Sequence, residues 1–295
     1  MSQTALPDFV VIGAMRAGTT SVHNYFELHP QVSMSVTKEP DFFREHIYKQ
    51  RDEAWYAAQF DACAHMRGEA SPNYTKVDVF PGVPERMHAH LPDAKLIYIV
   101  RDPVKRFVSQ YQHMASRGFD LPEPDVMCAT SAKLPDEVIR ITREDDQYLH
   151  ILSVSCYARQ LREYLKVYPL DQIMFVQFEE MNAQQTETLT AIQRFIGVDC
   201  VGPEGLPELN RSNELGKVPA PLLKAARNSK IGSAIRDKVG LKGRDRLKRM
   251  MAQVFPKKEL PTFSEASLTR IAEDLQADIT KFRDMTGLPL SGWKI

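Results

Sequence analysis

The sequence lacks the features of a secreted or membrane-embedded protein. Its cysteines, Cys63, Cys128, Cys156 and Cys200, are far apart, without the C-x-x-C spacing of a zinc site or the density of a disulfide framework. We therefore expect buried free thiols in a reducing compartment. No apolar run approaches the roughly 20 residues of a membrane helix, and the N-terminus has no signal-peptide pattern. These absences predict a cytoplasmic protein without an integral membrane segment.

An excess of charge of one sign is lacking as well. The 295 residues carry 38 Lys and Arg against 38 Asp and Glu, which argues against a surface that binds nucleic acid throughout. The balance is a cancellation, because residues 217–258 hold thirteen Lys and Arg but only Asp237 and Asp245, a net charge of +11. We expect this mostly helical segment to be a solvated surface, or a flap that contacts an anionic cofactor, acceptor or membrane surface.

Short apolar runs predict the strands of a buried parallel sheet. The strongest are Phe9–Ile12, Lys95–Val100 and Gln172–Phe178, and a shorter strand is expected near Met66–Glu69. Helical patterns alternate with these strands, and the chain shows no internal repeat and no linker. The pattern predicts one α/β domain over residues 1–295, with a central parallel sheet flanked by helices on both faces.

The helical patterns have recognisable start and stop signals. Asp102 and Asn182 are expected as N-caps, Gly197 as a C-cap, and 119–135 and 202–220 as loops. The last helix should bury one apolar face formed by Ile271, Leu275, Ile279 and Phe282. The predicted helices are Thr20–Leu28, Asp52–Phe60, Val83–Leu91, Val104–Ser116, 135–149, 154–167, Asn182–Phe195 and Ser264–Met285.

The loop after the first strand has nearly the spacing of a phosphate-binding loop. Residues 13–20 read G-x-x-x-x-G-x-T, against G-x-x-x-x-G-K-[ST] in nucleoside triphosphate enzymes. Backbone N–H groups at the following helix N-terminus can bind phosphate oxygens. Thr19 stands where the lysine is required, and a cation is present at Arg16 instead. The loop favours a phosphate-containing ligand other than ATP or GTP, unless it is a plain strand–helix turn.

A second candidate phosphate site follows the strand Lys95–Val100. Arg101 lies at the carboxyl end of this strand, where open α/β sheets bind ligands, and arginine suits bidentate phosphate recognition. Ser109, two helical turns later, could donate its hydroxyl to the same phosphate. Taken alone, the pattern also fits an exposed arginine beside a helix that Asp102 caps.

The two patterns together resemble the sulfotransferases that use 3′-phosphoadenosine 5′-phosphosulfate (PAPS). The resemblance lies in a strand with G-x-x-[RK]-x-G-T-T and a later strand with R-D-P-x-x-R-x-x-S-x-Y. It implies that the 3′-phosphate is bound by Arg101 and Ser109. It also implies that the 5′-phosphosulfate is bound by the first loop, through Arg16, Ala17, Gly18, Thr19 and Thr20.

Further segments are similar to the heparan-sulfate-type branch of that family, the N- and 3-O-sulfotransferases. The segment Lys38–Phe43 (K-E-P-D-F-F) resembles one in which a glutamate takes the acceptor proton, a role that maps to Glu39. The segments Glu69–Tyr74, Ser109–His113 and Ser153–Tyr164 fit the same branch.

This branch resemblance assigns several more side chains. It implies a contact of Lys38 with the transferring sulfuryl group, a second acid/base or acceptor contact at His113, and a cofactor contact at Tyr157. Without the resemblance, Glu39, Lys38 and His113 could be solvated surface residues. Phe42 and Phe43 are expected in the core rather than as a platform for the acceptor.

The sequence departs from the branch at the loop that closes on the cofactor. The K-G-R-x-x-P pattern is absent, and the nearest match is Lys257–Pro261, with Lys258 in the place of the arginine. The cysteine pair of the Golgi members is missing near this loop. Arg16 stands where lysine is common, and since arginine is always charged we expect an electrostatic role for it. These departures suggest a stand-alone cytoplasmic, bacterial relative.

The resemblance implies in-line transfer of a sulfuryl group from PAPS to a hydroxyl or amine of a carbohydrate or glycoconjugate. Adenosine 3′,5′-bisphosphate is the second product, and no metal is expected because protein cations take its place. Two alternatives stay open. One is a P-loop kinase or NTPase, against which Thr19 argues; the other is a nucleotide-binding relative without catalysis. No nucleic-acid partner is expected.

Overall fold

The structure is a computed structural model that describes residues 5–117, 119–129, 147–202 and 260–295. The predicted basic segment 217–258, with Lys258, lies outside these residues, as do most of the predicted helix 135–149 and nearly all of the predicted loop 202–220. Asp237 and Asp245 are therefore not described either. No helix in the described part of the chain is long and apolar enough to cross a membrane.

A five-stranded sheet forms the centre of the described residues. Its strands are β1 Phe9–Gly13, β2 Val32–Met34, β3 Met66–Ala70, β4 Lys95–Val100 and β5 Ile173–Gln177. Their order is β2-β3-β1-β4-β5, and every neighbouring pair is parallel. The predicted parallel α/β sheet is confirmed. The prediction missed β2, because a three-residue strand that is only partly buried has no apolar run to mark it.

Helices flank the sheet. Because all its strands are parallel, their carboxyl ends lie at one edge. The strand β1 is fully buried at the centre, with Val10 beside Leu96 and Val11 beside Ile97 of β4. The described helices are α1 Thr19–Glu27, α2 Glu45–Tyr48, α3 Glu53–Ala57, α4 Val83–His90, α5 Pro103–Ser116, α6 Pro124–Ala129, α7 Gln147–Ser153, α8 Tyr157–Tyr164, α9 Phe178–Ala183, α10 Gln185–Ile196 and α11 Glu265–Thr286.

Two predictions about local structure are wrong. The stretch 119–135 was expected to be a loop, but it contains α6, whose Met127 and Cys128 are buried. So short a helix depends on tertiary packing rather than on its own propensity, and it packs against α11. Asn182 does not cap a helix: it lies inside α9, and Gln184 precedes α10.

The capping signals of the longer helices are confirmed. The Asp102 carboxylate accepts hydrogen bonds from Val104 N and Lys105 N, each at 3.0 Å, at the start of α5. Gly197 ends α10 in the left-handed region. Ser264 caps α11, whose buried face includes the predicted residues Ile271, Leu275, Ile279 and Phe282.

None of the four cysteines forms a disulfide with another described residue, and only two of them are buried. Cys128 and Cys156 lie in the core, whereas Cys63 and Cys200 are exposed on loops. The expectation of four buried thiols is therefore wrong for the second pair, which lies outside the helices and strands that build the core.

Candidate active site

The loop between β1 and α1 lies at the carboxyl edge of the sheet and is tightly packed. Gly18 has φ +95°, and a Cβ at this position would lie 2.8 Å from Met181 Cε and 2.9 Å from Phe178. Only glycine therefore fits, for both the backbone conformation and the space. Ala14 N donates to Ile99 O at 2.6 Å, which ties the start of the loop to β4.

The start of α1 offers backbone donors to a ligand. No backbone acceptor in the described chain takes the N–H groups of Gly18, Thr19 or Thr20, as expected at a helix N-terminus. The N–H of Ala17, predicted to contact the 5′-phosphate, instead donates to Ala14 O at 3.1 Å. The available donors therefore begin at Gly18, where the partial positive charge of the helix favours an anion.

Arg16 extends from this loop toward α5. Its backbone φ is +70°. Its Nε donates to Ser109 Oγ at 3.2 Å, and its Nη1 lies 3.5 Å from His113 Nδ1. Since Ser109 and His113 are one turn apart, they face the loop from the same side of α5. The structure thus brings together three residues that the sequence had placed in two separate motifs.

Arg101 lies beside Arg16 at the end of β4. Its Nη1 donates to Arg16 O at 3.1 Å, and its guanidinium carbon lies 4.7 Å from the centroid of the Phe178 ring. Its Nε is buried and has no hydrogen-bond partner among the described residues. A buried donor without an acceptor is costly, and an anion bound here would satisfy it.

The Tyr157 hydroxyl holds the backbone of Arg101. This tyrosine is fully buried, and its hydroxyl donates to Arg101 O at 2.6 Å and accepts from Arg101 N at 3.2 Å. Both hydrogen bonds go to the backbone of Arg101. The geometry gives Tyr157 a supporting role at this site, and the direct cofactor contact that the sequence resemblance implied stays a prediction.

Arg117 adds a third guanidinium that the sequence reasoning missed. Burial first, and then the charges of Arg101 and Arg117, lower the pKa of Arg16. Burial, Arg16 and Arg117 together lower the pKa of His113 to about 4, so this imidazole is neutral at pH 7. The missed signal was spacing, because Arg117 follows Ser109 and His113 at intervals of four residues along one helix face.

The three guanidinium groups of Arg16, Arg101 and Arg117 are here called the arginine side of the site. No ion pair joins Arg16, Arg101 or Arg117 to a carboxylate in the part of the chain that the structure describes. Arg16 and Arg101 are half-buried and Arg117 is exposed, and the charges of Glu179 and Asp102 act on Arg101. Three cations clustered at one edge of the sheet favour binding of an anion.

Lys38 and Glu39, here called the Glu39 side, lie across the N-terminus of α1. Lys38 Nζ donates to Thr20 Oγ1 at 2.8 Å and to Glu39 Oε1 at 2.9 Å. The two side chains are 31% and 36% exposed, so solvent and an acceptor can reach them. On α1, burial and the charge of Lys38 lower the pKa of His23 to about 4.

The loop that carries Glu39 is anchored by a buried carboxylate on β3. Glu69 is fully buried and accepts hydrogen bonds from Ser71 Oγ at 2.8 Å, from Tyr74 Oη at 3.0 Å and from Tyr56 Oη. Ser71 Oγ in turn accepts from Asp41 N at 3.2 Å, two residues after Glu39. Burial raises the pKa of Glu69 to about 7.

The aromatic residues beside this loop belong to the core. Phe42 and Phe43 are buried, as predicted, and the Phe42 ring stacks on Tyr56 with centroids 4.4 Å apart. Within the described residues, no group of three or more His, Cys, Asp and Glu side chains is arranged to hold a metal ion.

The comparisons with known proteins agree with this geometry. Residues 6–210 match the family model described as the sulfotransferase domain. The chain is 30% identical over 207 residues to the bifunctional heparan sulfate N-deacetylase/N-sulfotransferase 2 of Bos taurus, covering 65% of this chain and 22% of that protein. It is 29% identical over 195 residues to the heparan sulfate glucosamine 3-O-sulfotransferase 3B1 of Mus musculus, covering 65% of this chain and 46% of that protein.

A solved structure extends the similarity to nearly the whole chain. The crystal structure of a sulfotransferase from Alicyclobacillus acidocaldarius superposes with a TM-score of 0.67 at 20% identity, covering 98% of this chain and 99% of that one. The match to the two heparan sulfate enzymes spans less than half of their length. Since the family match covers most of the chain, the protein belongs to the sulfotransferase domain family.

Proposed function

We propose that this protein transfers a sulfuryl group from PAPS to a hydroxyl or amine of a carbohydrate acceptor. The observation that carries the proposal is the arginine side, where three guanidinium groups that form no ion pair within the described residues adjoin the N–H groups at the start of α1. PAPS carries phosphate groups at both ends of its ribose, which requires two anion-binding elements. The buried, unpartnered Nε of Arg101 fits such a ligand.

The residues on the arginine side would hold the cofactor. The N–H groups of Gly18, Thr19 and Thr20 and the Arg16 guanidinium would bind the 5′-phosphosulfate, and Arg101, with Ser109 nearby, would bind the 3′-phosphate. When bound, PAPS supplies the sulfuryl group, and its bond from sulfur to the 5′-phosphate oxygen breaks as the acceptor oxygen or nitrogen bonds to sulfur. The fixed donors stabilise negative charge that develops on the phosphate.

Glu39 takes the proton from the acceptor. Its carboxylate is solvent-accessible, lies across the N-terminus of α1, and is held by Lys38. The same lysine contacts Thr20 and so joins the two sides of the site. The Lys38 ammonium would contact the transferring sulfuryl group and orient Glu39. A positioned carboxylate that acts as general base contributes roughly a hundredfold to ten-thousandfold in rate.

His113 has a narrower role than the sequence suggested. Because its pKa lies at about 4, the imidazole is neutral at pH 7 and is not a proton donor in the free protein. Neutral His113 can accept a hydrogen bond from the acceptor or from Arg16. Negative charge bound beside Arg16 would raise the pKa of His113 and allow this imidazole to take up a proton.

The carbohydrate acceptor is proposed from the similarity to heparan sulfate sulfotransferases. The test is transfer of radiolabelled sulfur from PAPS to heparan-type oligosaccharides and to glycan and metabolite extracts. Labelled product that disappears in Glu39→Gln supports the proposal. Label transfer only to non-carbohydrate metabolites would contradict the proposed carbohydrate acceptor. Absence of transfer to any acceptor would contradict the proposed sulfotransferase activity. The predicted absence of a metal and the predicted cytoplasmic location stay predictions.

A further inference from the structure

Arg101 does not hold its own position, because its backbone is fixed by another helix. Tyr157 Oη donates to Arg101 O at 2.6 Å and accepts from Arg101 N at 3.2 Å. Tyr157 is fully buried, and burial raises the pKa of its phenol, so the hydroxyl remains protonated in neutral solution. The place of the Arg101 guanidinium therefore depends on where the first turn of α8 puts Tyr157.

The first turn of α8 is capped from a distant part of the chain. Cys156, the residue that precedes the helix, makes no side-chain capping hydrogen bond. The carboxylate of Asp278, on α11, accepts instead from Ala158 N and Arg159 N, each at 2.9 Å. Asp278 thus supplies the cap that the adjacent residue does not, and its negative charge suits the positive end of the helix.

The C-terminal part of the chain surrounds Tyr157 on other sides too. The Tyr157 ring centroid lies 5.5 Å from that of Phe282 on α11 and 5.8 Å from that of Trp293. Lys294 N lies 3.4 Å from a carboxylate oxygen of Asp102, the residue after Arg101. These contacts confine the tyrosine ring, so a shift of its helix would be transmitted to Arg101 rather than absorbed by the ring.

We propose that Asp278 is a positioning residue for the anion site at Arg101, acting through the first turn of α8 and the hydroxyl of Tyr157. The proposal rests on the proposed function only in taking the 3′-phosphate as the ligand of Arg101. It predicts that loss of the Asp278 carboxylate weakens binding of the 3′-phosphate selectively, rather than weakening the fold alone.

The test compares two nucleotides that differ in this phosphate. Adenosine 3′,5′-bisphosphate has a 3′-phosphate, and adenosine 5′-monophosphate lacks it but is otherwise the same. In Asp278→Asn, which keeps the shape of the side chain but halves its accepting oxygens, we expect the Kd of the bisphosphate to rise about tenfold. The Kd of the monophosphate should change less than about twofold, so that only the affinity for the bisphosphate falls.

A second variant and a control keep the test decisive if Asp278→Asn folds poorly. Tyr157→Phe removes only the hydroxyl and should give the same selective loss. Asp125→Asn removes the charge of a carboxylate that accepts from Ser264 N and Ser267 Oγ at the start of α11, far from α8 along that helix, and should change neither affinity. Equal losses for both nucleotides, or no loss in either variant, would overturn the proposal.

One readout does not depend on the nucleotide. Hydrogen–deuterium exchange at the Arg101 amide, which donates to Tyr157, should be several-fold faster in Asp278→Asn than in the wild type and unchanged in Asp125→Asn. If the wild type bound no bisphosphate, the proposed function would fail. Exchange at the Arg101 amide would then still test whether Asp278 positions Arg101. An unchanged rate in Asp278→Asn would overturn that role, and a faster rate would support it.

Discussion

The two sides of the active site differ in how firmly they are held and in how their charges are paired. On the arginine side, Arg16 and Arg101 are partly buried and are fixed by several hydrogen bonds, yet they have no carboxylate partner in the described residues. On the Glu39 side, Lys38 and Glu39 pair with each other and are about a third exposed. An exposed ion pair contributes only about 0–1 kcal/mol.

This difference suggests a division of labour. A rigid cluster of unpaired cations is suited to bind an anion with little reorganisation when it arrives. A loosely paired, accessible carboxylate is suited to exchange a proton with an acceptor that enters from solvent. Thr20 connects the two sides, because its hydroxyl contacts Lys38 while its N–H group lies at the start of α1.

The largest effect is expected on the Glu39 side. Glu39→Gln removes the proton acceptor, so kcat for sulfuryl transfer should fall about a thousandfold. Affinity for adenosine 3′,5′-bisphosphate should change little, because the arginine side is intact. Glu45→Gln is a matched control, since Glu45 is also an exposed carboxylate paired with a lysine, Lys49. Full activity in Glu39→Gln would remove this residue from the mechanism.

The next effect tests the rigidity of the arginine side. Gly18→Ala adds a Cβ where φ is +95° and where Met181 and Phe178 lie within 3 Å. Backbone strain and overpacking together should lower the free energy of unfolding by about 3 kcal/mol. Gly287→Ala, at φ +68° with nothing within 4 Å, should cost only about 1 kcal/mol. Equal melting temperatures for both variants would show that the loop is not tightly packed.

Removal of one unpaired cation should weaken anion binding without affecting the fold. In Arg101→Ala, the Kd of adenosine 3′,5′-bisphosphate measured by calorimetry should rise about a hundredfold, since hydrogen bonds to charged groups contribute roughly 1.5–3 kcal/mol. Arg67→Ala serves as control, because Arg67 pairs with Asp8 at 3.0 Å and so is already compensated. A similar loss of affinity in both variants would contradict the contrast between paired and unpaired charges.

The smallest expected effect is the uptake of a proton by His113 when an anion binds. The pKa of His113 is about 4 in the free protein, and a bound anion would raise it. At pH values between the His113 pKa of the free protein and that of the complex, the complex holds more protons than the free protein. The affinity for the anion should therefore increase as pH falls through this range. Calorimetry in buffers of different ionisation enthalpy should show less proton uptake in His113→Gln than in the wild type. His65→Gln is the control, because His65 is exposed just before β3, and it should match the wild type. Identical proton uptake in all three proteins would exclude His113 as the group that takes up the proton.

The sequence reasoning succeeded where a feature is local. The strands β1, β4 and β5 are continuous apolar runs, and the loop before α1 carries its glycines at a fixed spacing. It failed where tertiary packing decides. The helix α6 forms because its apolar residues meet α11, which nothing within 119–135 indicates.

The same limit applies to the active site. The motifs around Arg16, Glu39 and Arg101 could be found because each lies in a short segment. The hydrogen bonds from Arg16 to Ser109 and from Tyr157 to Arg101 join residues from different segments. Such pairings depend on the three-dimensional arrangement, and a single sequence carries no signal for them.

The most direct test of the account is calorimetric titration of the wild-type protein with adenosine 3′,5′-bisphosphate and, separately, with ATP and Mg²⁺. The unpaired arginines and the threonine at position 19 predict that the bisphosphate binds at least about a hundredfold more tightly than ATP. Tighter binding of ATP–Mg, or no binding of the bisphosphate, would contradict the proposed site.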